Sequence, residues 1–208
     1  MKHDLSGKLS RPARRALDAF SHAFFALVTR KPLQELSTSE LCEEADYPRA
    51  TFYNYFADKY DLATACWQMM GREIGFGRRD ELAPGEALGI MFDRAYDLLT
   101  QNRKLLLGVL EHNPLGSPLV ASFESYVRSC LAEAFETYPV AHEAPVPDPV
   151  LARHYADTVL LVLEWALLDG GSAPVERARA HEAVCWLLGE PKQPKADETQ
   201  TWREGRRT

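Results

Sequence analysis

The chain has 208 residues, of which 46% are hydrophobic and 26% charged, and its formal net charge is −6. This composition is typical of a soluble globular protein with one large or two small domains, and it excludes a largely disordered chain. An acidic total does not suggest a nucleic-acid binder. However, residues 1–60 carry nine basic against eight acidic side chains, whereas residues 61–208 carry 15 against 22. Nearly all of the negative excess therefore lies outside the N-terminal segment.

Strand signals are nearly absent, whereas apolar residues recur at helical spacing along most of the chain. We therefore predict an all-α fold of about nine helices. The first helix should cover about residues 12–29, and the capping-box pattern of Ser37 and Glu40 should begin a short second helix. Pro48 suits the first position of a third helix, and Asp58 can cap a fourth.

The second half of the chain predicts five more helices, with Asn113-Pro114 ending the sixth. Their approximate ranges are 88–99, 105–110, 119–135, 148–169 and 174–188. We expect an N-terminal domain over residues 1–60 and a second, helical domain over residues 61–189. The polar tail, residues 190–208, should be disordered.

The cysteines and the hydropathy pattern predict a cellular compartment. The four cysteines are widely spaced and form no C-x-x-C pair, which favours free thiols in a reducing compartment over a disulfide scaffold or a zinc knuckle. The N-terminus lacks the apolar stretch of a secretory signal, and the most apolar run, residues 159–168, is about half the ~20 residues that a membrane span needs. We expect a cytoplasmic protein.

The motif TFYNYF, residues 51–56, crowds four aromatic rings around one asparagine. At ~100° per residue Phe52 and Phe56 share one helix face, while Ala50 and Asn54 lie opposite them. Arg49 stands at the helix start, and the remaining residues of the motif flank the outer face. This arrangement suits a helix in a DNA major groove, where Asn pairs with adenine and Arg with guanine or phosphate. On the motif alone, the alternative of core rings with a solvated outer face stays open.

The longer stretch LSTSELCEEADYPRATFYNYFADKYDL, residues 36–62, closely resembles the DNA-binding segment of the TetR family of bacterial regulators. Asp46 stands where the family usually has a turn glycine, a tolerable change because Asp can adopt the left-handed conformation. Pro48 and Ala50 stand where polar or small residues vary in the family, so no operator sequence is transferred. The resemblance implies a three-helix helix-turn-helix DNA-binding domain over residues 1–60 and a regulatory and dimerisation domain over residues 61–189. The DNA-binding residues that it implies are Thr38, Arg49, Ala50, Thr51, Tyr53, Asn54, Tyr55 and Lys59.

The resemblance further implies a homodimeric repressor that a small molecule releases from a palindromic operator. The segment VLLVLEWALL is apolar almost all round, which one internal core cannot absorb, and this favours a dimer. The predicted dimer interface is Leu160, Leu161, Leu163, Trp165, Leu167, Leu168, Ala183, Val184, Leu187 and Leu188. A central core helix is the alternative.

Large side chains with sparse polar groups in the second domain suggest a cavity for a small-molecule effector. The predicted ligand-binding residues are Trp67, Met91, Phe92, Tyr96, His112, Phe123, Tyr126, His154 and Glu164. Alternatives are that these rings simply pack together, that a protein partner controls the regulator, or that it has no effector.

Two other classes of function were considered. An enzyme is disfavoured because the chain has no H-E-x-x-H, no G-x-S-x-G and no phosphate-cradling loop, and we expect no metal and no cofactor. A helical adaptor would require the polar face between Arg49 and Lys59 to be incidental.

Overall fold

The computed structural model describes residues 10–75, 87–137, 145–169 and 173–189. Within these ranges all regular structure is helical, which confirms the predicted all-α fold. Nine α-helices follow one another: α1 Arg11–Val28, α2 Thr38–Ala45, α3 Arg49–Tyr55, α4 Lys59–Ile74, α5 Ala87–Gln101, α6 Arg103–His112, α7 Pro118–Thr137, α8 Asp148–Glu164 and α9 Arg177–Leu187. A 3-10 turn, Leu33–Glu35, precedes α2, and a π-helical turn, Trp165–Asp169, extends α8. The predicted tail, residues 190–208, lies outside the described residues.

The helix starts follow the capping signals in the sequence. The Glu40 N–H donates to Ser37 Oγ (3.2 Å) and the Ser37 N–H donates to a Glu40 carboxylate oxygen (2.9 Å), so the predicted capping box is confirmed. The Asp58 carboxylate accepts the N–H groups of Tyr60 and Asp61 at the start of α4. These side chains satisfy N–H groups that have no partner inside their own helices.

Two helix starts differ slightly from the prediction. Pro48 has an extended ψ of 149° and caps α3 from outside, so α3 begins at Arg49. α9 begins at Arg177, not near residue 174, because the Val175 N–H donates to the Ala166 carbonyl and keeps the preceding loop against α8.

A first core joins α1, α2, α3 and the N-terminal half of α4. Phe20 of α1 lies at its centre, with its ring edge-on to Phe52 (5.4 Å between centroids) and to Phe56 (5.8 Å). Leu62 and Trp67 carry this core into α4. The predicted domain boundary at residues 60 and 61 therefore falls in the first turn of a helix that belongs to both parts of the chain.

A second core joins the end of α4 with α5, α8 and α9. Ile74 supplies the contact from α4, and the most deeply buried members include Phe92, Val162, Ala166 and Val184. α7 packs along both α4 and α8. The helix α4 thus connects residues 10–60, which we call the helix-turn-helix segment, directly to the second core.

Candidate nucleic-acid interface and interior cavity

The turn between α2 and α3 is set by Asp46. Its φ of 55° and ψ of 44° are left-handed, and its N–H bonds back to the Cys42 and Glu43 carbonyls. The Tyr47 N–H also donates to the Cys42 carbonyl (3.0 Å). This C-terminal cap reverses the chain within two residues and fixes the direction of α3 relative to α2.

The helix α3 has two different faces. Phe52 and the following Phe56 are fully buried in the first core, as predicted. Arg49, Tyr53 and Asn54 are exposed on the opposite side. Ala50 is also exposed, whereas Thr51 and Tyr55 are half-buried, with Tyr55 packed against the first core. The core thus anchors α3 through two rings and leaves its polar side chains available for a partner.

Three of the predicted DNA-binding side chains form one cluster. The Arg49 guanidinium donates to the Tyr53 hydroxyl (3.4 Å) and lies over its ring (5.9 Å to the centroid). The Thr38 hydroxyl, on the first residue of α2, also hydrogen-bonds to Tyr53. The bond from Arg49 and then that from Thr38 lower the pKa of the Tyr53 phenol. The cluster connects the N-terminus of α2 to the outer face of α3.

Lys59 lies behind this surface, at the start of α4. Its ammonium donates to the carbonyls of Gln34 (2.6 Å) and Leu36 (2.8 Å), and its partial burial lowers its pKa. An ammonium has three N–H donors. One donor therefore stays available for the phosphate contact that the sequence predicts, while two hold the segment that leads into α2.

A cavity of ≈ 850 Å³ lies between α1, α4, α5, α6, α7 and α8. Twenty of its 27 lining residues are apolar and eleven are leucines, which favours a flexible aliphatic ligand over a flat polar one. The polar lining residues are Ser21, His22, Arg72, Glu73, Asn102, Glu124 and Glu164. Because α1 belongs to the first core, a ligand in this cavity would contact the helix-turn-helix segment directly.

Only part of the predicted ligand-binding set meets this cavity. Trp67, Phe123 and Glu164 line it, and the Trp67 indole N–H donates to Ser122 Oγ (2.9 Å). Phe92 and Tyr96 are buried in the second core, where the Tyr96 hydroxyl donates to the Val175 carbonyl. The other predicted residues that do not line the cavity are Met91, His112, Tyr126 and His154.

Most of the residues that line the cavity were not among those predicted from the sequence. The leucines of α5 and α6, and Phe25 and Met70, belong to apolar stripes that also fit ordinary core packing. Ser21 and Cys66 were missed as well: the Cys66 thiol donates to Ser21 Oγ (3.4 Å), and burial raises the pKa of this thiol to about 12. One signal in the sequence could have indicated Ser21 and Cys66: the helical period places both of these polar residues on the inward face of their helices.

The predicted dimer residues divide between the interior and the surface. Leu163, Leu167 and Val184 are buried in the second core of the same chain. Leu161 is 59% exposed and Leu187 is 41% exposed. The half-buried members are Leu160, Trp165, Leu168, Ala183 and Leu188. Trp186, which was not predicted, is the most exposed large apolar side chain of the described residues at 72%.

The turn at Asp46 joins a capped helix, α2, to a helix, α3, whose rings are anchored in the core and whose polar side chains face outward. This is the arrangement of a helix-turn-helix, a DNA-binding motif. Residues 23–66 match the model of the bacterial regulatory proteins of the tetR family. Over this segment the chain is similar to the tetR family, and its fold as a whole is similar to that of solved TetR-family regulators. Among the described residues, no helix is both long and apolar enough to span a bilayer.

Solved structures of several bacterial regulators share this fold at low sequence identity. The repressor QsdR of R. erythropolis is 21% identical, with 88% of this chain and 96% of that chain covered, and the TM-score is 0.55. The fatty acid degradation regulator FadR of Bacillus halodurans is 16% identical over 90% and 100%, with a TM-score of 0.58. A TetR-family regulator of Syntrophomonas wolfei is 14% identical over 85% and 94%, with a TM-score of 0.60. No curated protein matches the chain in sequence.

Proposed function

We propose that the chain is a transcriptional repressor that binds a palindromic operator as a homodimer, with one half-site for each helix-turn-helix. The observation that carries this proposal is the outward display of Arg49, Tyr53 and Asn54 on a helix anchored by two buried rings. Asn and Arg supply hydrogen bonds to base edges, and Tyr supplies one to the phosphate backbone. The repressor QsdR, which has the same fold, supports the direction of regulation.

Selection of bound sequences from random DNA duplexes tests this proposal. A two-fold dimer should enrich an inverted repeat whose half-sites are about one helical turn, or a multiple, apart. Asn54→Ala should then lower affinity for the selected operator by about 1–3 kcal/mol and relax the preference for one base pair. If the selection enriches no sequence motif, the proposal is wrong and the alternative of a helical adaptor is favoured.

We further propose that a largely aliphatic small molecule in the ≈ 850 Å³ cavity releases the operator. The cavity contacts α1 and α4, so its occupant can favour one arrangement of the helix-turn-helix over another. FadR, a fatty acid degradation regulator, has the same fold. The lining has the carboxylates of Glu73, Glu124 and Glu164 against the one guanidinium of Arg72. Glu124 is ion-paired with Arg128 (3.3 Å), and the other two carboxylates still outnumber the guanidinium. This balance favours a neutral or cationic head group over a carboxylate.

Three ligands of equal chain length test the effector proposal: decylamine, decan-1-ol and decanoic acid. Each is added to the protein on its selected operator, and the operator affinity is measured. We expect decylamine and decanol to weaken operator binding, and decanoic acid to do so least. If none of the three changes the affinity for a confirmed operator, the effector proposal is wrong while the DNA-binding proposal stands.

A further inference from the structure

Asn113 is a fully buried polar residue at the end of α6, and its side chain joins three segments. Its Oδ1 accepts the N–H of Leu33 (2.9 Å). Its Nδ2 donates to the carbonyl of Val28 (2.9 Å), at the end of α1, and at longer range to those of Lys31 (3.4 Å) and Val109 (3.3 Å). The carboxamide is therefore fully satisfied by backbone groups of the helix-turn-helix segment and of its own helix.

The segment that Asn113 holds leads directly into α2. Leu33 and Leu36 are buried in the first core, and Lys59 holds the carbonyls of Gln34 and Leu36 from the other side. Residues 31–36 are therefore held by Lys59, from the start of α4, and by Asn113, from the end of α6. Lys31 is also ion-paired with Glu40 of α2.

The helix α6 is also a wall of the cavity. Leu105, Leu106, Val109 and Leu110 line it, and Val109 lies one turn before Asn113 and bonds to its side chain. The helix α6 also lies close to the end of α1: a Cβ on Gly108 would be in van der Waals contact with the Thr29 side chain, at 3.4 Å. A ligand that displaces the α6 wall must therefore move the Asn113 carboxamide relative to Val28 and Leu33.

We infer that Asn113 is the positioning residue that couples the cavity to the helix-turn-helix. This inference rests on the proposed function. With the cavity empty, the carboxamide holds residues 31–36 and α2 in the arrangement that binds DNA. A ligand that shifts α6 breaks the bonds to Val28 and Leu33, and this anchor is lost. An energetic coupling of this kind acts in both directions, so operator binding should equally disfavour the ligand.

The test measures the coupling itself rather than either affinity alone. The probe is N-phenyl-1-naphthylamine, an uncharged dye whose fluorescence rises in apolar surroundings. Operator affinity is measured with and without saturating dye for the wild type, Asn113→Ala and Asn113→Ser. Tyr96→Phe is the matched control, because it removes a buried hydrogen bond in the second core, away from residues 31–36. Thermal unfolding and dye titration show that each variant is folded and still binds the dye.

We expect the dye to weaken operator binding about tenfold in the wild type and in Tyr96→Phe. In Asn113→Ala the change should fall below about twofold, and in Asn113→Ser, whose hydroxyl keeps one of the bonds, it should be intermediate. A tenfold response that persists in Asn113→Ala overturns the inference, and so does a wild type that binds its operator but ignores the dye. Failure of the wild type to bind any operator in the absence of dye contradicts the proposed function instead.

Discussion

A single left-handed residue, Asp46, sets the angle of the helix-turn-helix. Left-handed backbone costs an L-residue about 1–2 kcal/mol, less for Asp and Asn, whose short polar side chains bond locally. We expect Asp46→Val to lower the free energy of unfolding by about 1–2 kcal/mol, because a β-branched side chain fits this conformation poorly. Urea unfolding measures the loss. Asp46→Asn is the control and should stay within about 0.5 kcal/mol; an equal loss in both would show that the carboxylate, not the backbone, matters.

Lys59 combines a structural and a proposed DNA-binding contact. Its two bonds to backbone carbonyls predict that Lys59→Met lowers the free energy of unfolding by about 1–2 kcal/mol. Loss of the proposed phosphate contact should also weaken binding to every DNA sequence. The slope of log affinity against log salt concentration should become less steep by about one. Unfolding curves and titrations at several salt concentrations separate the two effects. If Lys59→Met is less stable but its DNA affinity depends on salt as in the wild type, then Lys59 makes only the structural contact and does not bind phosphate.

For single residues, the sequence predicted which way a side chain faces better than it predicted which group the side chain contacts. The inward faces of Phe52 and Phe56 follow from helical spacing alone. The bond between Thr38 and Tyr53 joins residues of different helices, and the carbonyl partners of Lys59 lie 23 and 25 residues away. Such contacts depend on how the helices cross, which periodicity does not determine.

The short helix α2 depends on its capping box and on the ion pair of Glu40 with Lys31. The hydrogen bond from Lys31, and then those from Ser37, lower the pKa of Glu40 from 4.5 to about 2. A depressed carboxyl pKa stabilises the fold above the unfolded value of 4.5, and this contribution is lost as the pH falls toward 2. We therefore expect Glu40→Gln to unfold at a lower temperature than the wild type at pH 7, with the difference vanishing near pH 2.

Thermal unfolding between pH 7 and pH 2 checks this prediction. Glu35→Gln, a nearby exposed glutamate outside the capping box, is the control and should leave the pH profile of the wild type unchanged. A difference between Glu40→Gln and the wild type that stays constant with pH would mean that the amide has altered packing and not charge.

The π-helical turn after α8 could not be predicted from the sequence. Residues 159–168 form one apolar run with no Gly or Pro to mark a change of helix type. Two carbonyls of this turn instead bond outside the helix: Ala166 accepts from the Val175 N–H (2.8 Å) and Leu167 from Arg103 Nε (3.3 Å). The wider turn thus follows from tertiary partners, whereas the ends of α2, α4 and α6 follow from local capping and Pro signals.

For the whole molecule, the sequence identified the all-α fold and the DNA-binding segment but only part of the cavity. The predicted cavity residues are large side chains near polar ones, and two of these, Phe92 and Tyr96, fill the second core. Leucine is the commonest residue of the actual lining, with 11 of 27. A leucine stripe predicts which face of a helix is buried, but not whether it meets another side chain or a void.

The helices α8 and α9 expose apolar surface that the chain itself does not cover, and this surface supports the proposed dimer. Leu161 on α8 and Trp186 on α9 are 59% and 72% exposed. Large exposed apolar side chains grouped on adjacent helices are characteristic of a protein interface. We expect the wild type to sediment as twice the 23.4 kDa chain at micromolar concentration. Leu161→Glu should produce monomers, since a carboxylate would be buried without a partner.

The same variant links assembly to function. A monomer contacts one half-site at a time, so Leu161→Glu should lose most of its affinity for the selected operator. The variant should still fold, and at low protein concentration its thermal unfolding should be near that of the wild type. Leu107→Glu, on the exposed face of α6, is the matched control and should remain dimeric and bind the operator normally. Dimers that persist in both Leu161→Glu and Trp186→Glu would place the interface elsewhere and make this apolar face a site for a different partner.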